Sequence, residues 1–276
     1  MEVLNVNYIF SKPFLKWAGG KHKLVPIISE KLGDGKRLVE PFVGSGAVFM
    51  GTNFKSYLLC DTNNDLIDLY NNLKFHPDKL INEVIKLFNI ENNAEERFYE
   101  IRNKFNEVKD SSIEKSAMFV YLNKHSFNGL CRYNSKGKFN VPFGRYKTVT
   151  APINEMKLFA AKSEFALFEC CDFIDTFKKL SQGDIVYCDP PYVPISITSN
   201  FTSYHANEFG KKQQQELANC AINAKNQGHT VVISNHDTIF TREIYANAKI
   251  DALTVRRSIS SKAKTRGNAH ELLATF

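Results

Sequence analysis

A carboxylate, two prolines and an aromatic ring directly follow a short apolar run in the stretch "DIVYCDPPY", residues 184–192. Asp189 supplies the carboxylate. The prolines fix the backbone and remove N–H donors, so carbonyl oxygens such as that of Pro190 can point outward in a stiff array. Tyr192 adds a flat face against which a heterocyclic base can stack. The group presents hydrogen-bond acceptors, and its natural occupant is an NH₂ group that offers two hydrogens.

An NH₂ group on an aromatic base is a weak nucleophile because its lone pair is delocalised into the ring. Two acceptors that hold its hydrogens return electron density to nitrogen, and this preference strengthens as the transition state forms. A sulfonium methyl group in line with the nitrogen would then be attacked directly, without a covalent enzyme intermediate. The alternative interpretation is a proline-rich strand exit in which Asp189 has no chemical role.

A second candidate site follows an earlier apolar run in "LVEPFVGSGAVF", residues 38–49. Gly44 and Gly46 allow a tight turn and a close approach of the backbone to a ligand. Asp61 ends the next apolar run fifteen residues after Gly46, and a carboxylate there suits a ribose diol. Phe49 stands where the dinucleotide fingerprint has its third glycine, which favours a nucleoside over a pyrophosphate. A purely structural turn is the alternative.

The segment "FLKWAGGK" adds a third group of candidate residues. Its two glycines precede a helix-like run, so backbone N–H groups and Lys21 are expected to converge on a carboxylate or phosphate. Trp17, the only tryptophan in the chain, is a candidate to cover the ligand. The alternative makes Trp17 a core anchor and Lys21 a solvated residue.

The elements that position these residues are predicted from short apolar runs rich in β-branched and aromatic residues. The predicted buried strands are residues 37–41, 56–61, 165–170, 184–189 and 230–234. Helical patterns separate most of them, which indicates an α/β fold with a parallel, doubly wound, Rossmann-like sheet. Residues 249–259 and 270–276 are predicted as two more strands that form a hairpin at one edge.

Residues 62–155 break this alternation, with helix-like stretches around 65–88, 94–108 and 112–124. A turn-rich segment follows, and its Asn-Ser-Lys-Gly sequence at 134–137 predicts a hairpin turn. We therefore predict a mainly helical insertion over 62–155 that carries a β-hairpin. The catalytic, cofactor-binding α/β domain is predicted over 1–61 and 156–276.

Basic and aromatic residues alternate around the predicted hairpin. They are Arg132, Lys136, Lys138, Arg145 and Lys147, with Phe127, Tyr133, Phe139, Phe143 and Tyr146. Basic side chains can neutralise phosphates, while planar ones can fill a gap in a base stack. A solvated basic hairpin is the alternative for any one of these residues, but the whole cluster favours nucleic-acid binding.

The composition agrees with an anionic partner. The chain carries 36 Lys and Arg against 29 Asp and Glu, a formal charge of +7 with a pI near 9.0, which favours nucleic acid first and an acidic membrane surface second. No apolar run approaches the roughly 18 residues that span a bilayer, and the first residues do not read as a secretory signal. The six cysteines form no CxxC pair, which argues against zinc. We expect a cytoplasmic, monomeric protein that binds no membrane and no metal.

Six segments in this order resemble the Dam-type DNA adenine-N6 methyltransferases of the D12 class: "FLKWAGGK", "VEPFVGSGAVF", "CDTNNDLI", "FNGLCRYNSKGKFNVPFGRYK", "VYCDPPY" and "ISNHDT". The resemblance runs from about Lys12 to the end of the chain. It implies S-adenosylmethionine as the cofactor and GATC in double-stranded DNA as the target. Because N6 of a paired adenine is inaccessible, the base must be flipped out, at a cost of roughly a few kcal/mol.

The resemblance also assigns residues. Cofactor contacts fall on Trp17, Lys21, Asp61 and Asp189, and the turn residues Phe42, Gly44 and Gly46 belong to the same predicted site. The target adenine pocket falls on Asp189, Pro190 and Tyr192. In the DNA interface Arg132 would read a guanine, and Leu130 and Pro142 would contact thymine. Phe127 and Asn128 would enter the opened stack, and Lys16 would help read the outer guanine. Arg145 and Tyr146, from the basic and aromatic cluster, complete the predicted DNA-binding residues. Family members can have tyrosine at the position of Phe127, which keeps the stacking but removes any hydroxyl contact.

A second basic run, over residues 256–266, is predicted to grip phosphates or to form a generic charged loop. In the stretch "SNHD", residues 234–237, His236 and Asp237 are interpreted as a structural turn after a strand, because direct methyl transfer needs no His–Asp pair.

Other functions remain as alternatives. A cytosine-C5 methyltransferase needs a nucleophilic cysteine, usually after a proline, and no Pro-Cys occurs. Transfer to cytosine N4 uses the same acceptor chemistry and stays open, as does adenine in RNA. A catalytically inactive DNA-binding regulator is disfavoured by the unbroken acceptor motif. An NAD-dependent oxidoreductase is disfavoured by the missing third glycine.

Overall fold

The computed structural model describes residues 12–192, 209–256 and 268–276, which form one sheet of seven strands with helices on both faces. The strands are β1 (Arg37–Glu40), β2 (Ser56–Asp61), β3 (Ala166–Cys170), β4 (Asp184–Cys188), β5 (Thr230–His236), β6 (Lys249–Arg256) and β7 (Asn268–Thr275). Their spatial order is β3-β2-β1-β4-β5-β7-β6. The first five are parallel, whereas β7 is antiparallel to both of its neighbours. The predicted α/β sheet is confirmed.

Alternating side chains bury both faces of the sheet. In β1, Leu38 joins the core on one face and Val39 joins the core on the other. Ile185 and Val186 of β4 divide in the same way. Because successive residues of a strand point to opposite faces, a sheet covered on both sides needs continuous apolar runs, which is the pattern seen in the sequence.

In the described part of the chain the α-helices are α1 (Val25–Leu32), α2 (Ala47–Gly51), α3 (Asn64–Phe75), α4 (Pro77–Leu87), α5 (Glu95–Glu107), α6 (Ile113–His125), α7 (Ile153–Ser163), α8 (Phe173–Phe177), α9 (Lys211–Asn226) and α10 (Ile239–Ile244). The helix-like stretch predicted over 65–88 is two helices, because Pro77 begins α4 and His76 ends α3. Proline lacks an N–H donor and disfavours the helical conformation of the preceding residue.

The hairpin turn predicted over 134–137 is present. Asn134 accepts the N–H of Gly137 at 2.9 Å, and Gly137 has a φ of 69°. The side-chain oxygen of Asn134 also accepts the N–H groups of Lys136 and Lys138, at 2.9 and 3.0 Å. The flanking segments make isolated antiparallel bridges between Tyr133 and Phe139 and between residues 126 and 143. The hairpin is therefore built on a tight, asparagine-capped turn with minimal strand pairing.

Candidate active site

The predicted acceptor motif lies at the carboxyl end of β4, where two donors hold the Asp189 carboxylate. The ammonium of Lys21 is 2.9 Å from Asp189 Oδ1, and the hydroxyl of Ser234 on the neighbouring β5 donates to the same oxygen at 3.0 Å. The Lys21 side chain is only 4% exposed, whereas that of Asp189 is 23% exposed. Among the described residues, none donates a hydrogen bond to Asp189 Oδ2 or to the carbonyl oxygen of Pro190. Two acceptors are therefore left for a ligand.

The rest of the motif is held by β5, α9 and β7. The side-chain amide of Gln214 donates to the carbonyl of Pro191 at 2.9 Å. Gln214 is itself buried and accepts a hydrogen bond from Asn235 at 2.9 Å. The Tyr192 hydroxyl donates to Glu271 Oε2 at 3.3 Å. The strand exit is thus anchored on several sides, as a preorganised site requires.

The ring of Tyr192 lies edge-on against the imidazole of His236, with 4.5 Å between centroids, and the Lys21 ammonium is 4.9 Å from the Tyr192 ring centroid. Burial, together with the nearby Asp189 carboxylate, raises the pKa of Tyr192 well above its usual value, so the phenol stays a donor. Asp237 instead pairs with Arg242, whose guanidinium lowers the pKa of this carboxyl. The structural turn predicted at His236 and Asp237 is wrong for His236, because β5 extends to this residue and its ring contacts Tyr192 in the candidate site.

The glycine turn joins β1 to α2, with Gly44 and Gly46 in the left-handed region at φ of 48° and 70°. The N–H groups of Gly44 and Asn63 donate to the two carboxylate oxygens of Asp61 at 3.1 and 3.0 Å. Tyr70 donates its hydroxyl to the Gly44 carbonyl at 2.5 Å. Burial raises the pKa of Asp61 above its usual value, and the hydrogen bonds from these backbone donors only partly oppose that shift. Asp61 therefore holds the turn, and its oxygens retain lone pairs for a further donor.

The other predicted cofactor residues surround this turn. A Cβ at Gly44 would lie 2.8 Å from Nε1 of Trp17, so the indole packs directly against the turn. Phe42 stacks on Phe173 with 5.8 Å between centroids and meets Phe209 edge-on at 5.4 Å. Trp17 and Phe42 thus supply aromatic surface beside the turn.

A buried glutamate that the sequence analysis did not single out lies under the same turn. Glu40, the last residue of β1, is 2% exposed and accepts the backbone N–H of Phe49. Its Oε1 has no hydrogen-bond partner among the described residues. Burial raises its pKa to about 8, and the Asp189 carboxylate adds to that shift. The signal in the sequence is a glutamate inside an apolar run, and an unpartnered buried oxygen suits a cationic ligand group.

The buried Lys162 belongs to the same charge cluster. Its ammonium donates to the carbonyls of Met50 and Thr52 at the end of α2. Burial lowers the pKa of Lys162 to about 8, and the Glu40 carboxylate opposes that shift.

Most of the predicted DNA contacts meet where the N-terminal segment touches α6 and the hairpin. The Lys16 ammonium donates to the Lys124 carbonyl at 3.1 Å and lies 4.2 Å from the Tyr146 ring centroid. The buried side chain of Asn123 accepts the Lys16 N–H at 2.8 Å and donates to the carbonyls of Lys16 and Gly129 at 2.7 and 3.3 Å. Burial lowers the pKa of Lys16.

The turn after α6 displays the residues predicted to enter the base stack. Asn128 has a left-handed φ of 54°, and the adjacent Phe127 side chain is 44% exposed. The Phe127 N–H donates to the carbonyl of Pro142 at 2.9 Å, and Pro142 itself is exposed. Leu130 is half-buried beside them. The turn therefore presents one aromatic ring to solvent at the predicted interface.

The two predicted arginines are exposed but differ in their partners. Arg132 donates from Nε to the side-chain oxygen of Asn140 at 2.8 Å. Arg145 pairs with Glu95 at 2.8 Å and has a φ of 53°. The side chains of the second predicted basic run, residues 256–266, lie outside the described residues.

Within the described residues, no group of three or more His, Cys, Asp or Glu residues could hold a metal ion. No helix there is both long and apolar enough to cross a bilayer.

Comparison with known proteins gives a consistent result. Residues 17–259 match the family described as D12 class N6 adenine-specific DNA methyltransferase. The DNA adenine methylases of Salmonella typhi and Escherichia coli K12 are each 47% identical over 266 residues, which cover 96% of this chain and 95% of each relative. The DNA adenine methylase of Haemophilus influenzae is 46% identical over 268 residues, covering 96% and 93%.

Proposed function

The chain belongs to the D12 class of N6 adenine-specific DNA methyltransferases, and from that premise we propose that it methylates N6 of an adenine flipped out of double-stranded DNA, within GATC. The methyl donor in this proposal is S-adenosylmethionine. The observation that carries the proposal is the pair of acceptors at the end of β4, Asp189 Oδ2 and the Pro190 carbonyl, to which no described residue donates.

The residues around the glycine turn suit this donor. Glu40 offers an unpartnered buried oxygen to an ammonium group, and Asp61 keeps acceptor capacity for a ribose diol. Gly44 leaves the turn without a side chain, beside the indole of Trp17. When bound, S-adenosylmethionine supplies an electrophilic methyl group on a positively charged sulfur.

The chain's own residues then activate the amine. Asp189 and the Pro190 carbonyl accept its two hydrogens, which returns electron density to N6 and favours tetrahedral geometry. Tyr192 stacks on the base, and its hydroxyl stays anchored on Glu271. The methylated amine is briefly acidic, so the Asp189 carboxylate can hold its proton before solvent takes it.

The turn after α6 and the hairpin supply the residues that would open the duplex and read the DNA sequence. Phe127 is exposed and planar, so it can fill the gap left in the stack. The Arg132 fork suits the O6 and N7 edge of guanine once it leaves Asn140. The choice of GATC rests on the family resemblance. The proposal includes a monomer without a metal, acting in the cytosol, where the six free cysteines stay reduced.

Methyl transfer from tritiated S-adenosylmethionine to synthetic duplexes tests the proposal. We expect label on N6-methyladenine from a GATC duplex, and at least ~100-fold less from duplexes that differ at one base pair of the site. Asp189→Ala should lower kcat at least ~1,000-fold, because it removes one of the two acceptors. Its affinity for DNA, measured by fluorescence anisotropy, should stay within about threefold, since each phosphate contact lies elsewhere.

Product digestion identifies the methylated base. Label on N4-methylcytosine would assign the chain to the cytosine alternative, and label on an RNA oligonucleotide in preference to DNA would reject the duplex substrate. Near-normal turnover by Asp189→Ala would remove the acceptor mechanism.

A further inference from the structure

A carboxylate from the far end of the chain enters the site, although neither its sequence position nor a motif points to it. Glu271 lies on β7, opposite His236 of β5 in the sheet register. Its side chain is 6% exposed. The same oxygen, Oε2, accepts the Tyr192 hydroxyl at 3.3 Å and lies 4.0 Å from the Lys21 ammonium.

Lys21 is therefore shared between two carboxylates. Its ammonium is 2.9 Å from Asp189 and 4.0 Å from Glu271, and it also donates to the Gly19 carbonyl at 2.7 Å. One cation faces two anions, so the three side chains together carry a net charge of −1. A shift of the ammonium by about 1 Å, the difference between the 2.9 and 4.0 Å separations, would exchange its closer partner.

This sharing matters because Asp189 must act as an acceptor. A carboxylate that is neutralised by a buried ammonium binds other donors less strongly, since each added donor meets a smaller negative charge. The Glu271 carboxylate competes with Asp189 for the Lys21 ammonium. The negative charge of Asp189 is then neutralised less completely. Glu271 also fixes the orientation of the Tyr192 ring, because its Oε2 accepts the hydrogen bond of the phenol.

We propose that Glu271 is a positioning residue for methyl transfer, which orients the Tyr192 ring and gives the Lys21 ammonium a second partner while Asp189 grips the amine of the target base. The proposal rests on the proposed function. It adds a residue from the C-terminal strand to a site otherwise built from the N-terminal segment and the ends of the parallel strands.

Two substitutions separate charge from shape. Glu271→Gln keeps the size and an acceptor for Tyr192 but removes the charge, whereas Glu271→Asp keeps the charge on a shorter side chain. If charge sharing is the role, the aspartate variant should retain more activity than the glutamine variant. If packing is the role, the order should reverse, because glutamine conserves the volume.

The measurement is single-turnover methyl transfer on a GATC duplex at saturating cofactor and DNA. We expect Glu271→Gln to lower this rate at least ~10-fold, with Glu271→Asp in between, because the chemical step loses a charge that acts on the acceptor. Cofactor affinity by calorimetry should change less than about threefold, since Glu271 contacts the acceptor side of the site. Glu243→Gln, on the exposed face of α10, is the matched control and should behave as wild type.

The pH profile supplies a readout that a merely structural role would not move. Among the described residues, the titratable groups near Glu271 include Lys21, Asp189, Tyr187, Tyr192 and His236. Glu271→Gln removes a negative charge beside the acceptors whereas Glu271→Asp retains it, so the pH profile of the rate should change in the glutamine variant and not in the aspartate variant.

The outcomes are distinct. Wild-type rates and profile in Glu271→Gln, or an aspartate variant slower than the glutamine variant, would overturn the role of Glu271 and leave the proposed function intact. Absence of labelled N6-methyladenine with the wild-type protein would overturn both. Circular dichroism of each variant shows that the fold is retained.

Discussion

Asp189 and Glu40 lie at the ends of the adjacent strands β4 and β1, but their carboxylates have very different hydrogen-bond partners. Asp189 has a buried ammonium and a hydroxyl as partners, whereas Glu40 has one backbone donor and an oxygen without a partner among the described residues. Isolated ionised carboxylates are costly to bury, so Glu40 shifts its pKa and binds a proton instead. A cation that enters beside Glu40 would favour the ionised form.

This difference predicts a pH-dependent stability that depends on one residue. Burial raises the pKa of Glu40 from an ordinary 4.5 to about 8, so the folded chain holds a proton that the unfolded chain has released. The contribution of this bound proton to the free energy of unfolding is complete below pH 4.5 and is lost as the pH rises through 8. Between pH 6.5 and 8, wild type should lose about 2 kcal/mol of unfolding free energy relative to Glu40→Gln.

Urea denaturation of both proteins without cofactor measures this loss. Burial lowers the pKa of His125 to about 4, but this residue is present in both proteins, so its contribution cancels in the difference between them. Glu243→Gln, whose residue is exposed, should follow wild type. Parallel curves for wild type and Glu40→Gln would mean that Glu40 does not carry a proton in the folded state.

At the scale of elements, three segments of the chain meet at the proposed cofactor site. The turn between β1 and α2 supplies the backbone, Asp61 at the end of β2 accepts the Gly44 N–H at 3.1 Å, and Trp17 packs on the turn. Each segment comes from a different part of the chain, so the turn geometry depends on the sheet register that brings β1 and β2 together.

Gly44→Ala should separate close approach from backbone strain. Gly44 and Gly137 both have a positive φ, of 48° and 69°, so alanine is strained by roughly 1–2 kcal/mol at either position. A Cβ at Gly44 would also lie 2.8 Å from the Trp17 indole, whereas a Cβ at Gly137 would meet nothing within 4 Å. We expect Gly44→Ala to weaken cofactor binding at least ~10-fold and Gly137→Ala to leave it unchanged, because only the first displaces Trp17.

Trp17 reports on its own displacement, because it is the only tryptophan in the chain. Its emission maximum should shift in Gly44→Ala and not in Gly137→Ala. Calorimetric cofactor affinities that fall equally in both variants would attribute the loss to strain, and the packing of Trp17 on the turn would then have no part in binding.

Over the whole molecule, the sequence predicts the motifs and the strands well. It does not predict which distant residues contact those motifs. The runs that form β1, β2, β4 and β5 are buried on both faces, so continuous apolar stretches mark them directly. The run of β3 is also apolar, although this edge strand leaves Leu167 exposed. The helical pattern over 65–88 continues through Pro77 and hides the break between α3 and α4, which the chemistry of proline explains. Glu40 is marked only as a glutamate inside an apolar run, and Glu271 carries no local signal, because the importance of both comes from neighbours that are distant in sequence. Lys21 was expected to bind a ligand anion, and the structure places its ammonium on Asp189.

The division of the chain into a catalytic domain and a DNA-binding insertion over 62–155 stays a prediction, and charge offers a way to test it. The formal charge of +7 belongs to the whole chain, yet the proposal places DNA at the hairpin and at the carboxyl ends of the parallel strands. Lys136 lies in the hairpin turn and Lys138 directly follows it, and both are exposed. Lys36 and Lys55 are also exposed but precede β1 and β2, at the amino ends of the strands.

Two double variants therefore remove the same two positive charges from opposite sides of the molecule. If Lys136 and Lys138 neutralise phosphates, their replacement by alanine should lower the slope of log Kd against log salt by about 2, since each phosphate contact contributes about 0.9. Lys36→Ala with Lys55→Ala should leave the slope unchanged, because counterions are released only where the protein meets the duplex. Fluorescence anisotropy between about 50 and 200 mM salt gives both slopes. Equal slopes for the two variants would mean that net charge alone drives binding, and the hairpin would lose its assignment as the DNA-contacting face.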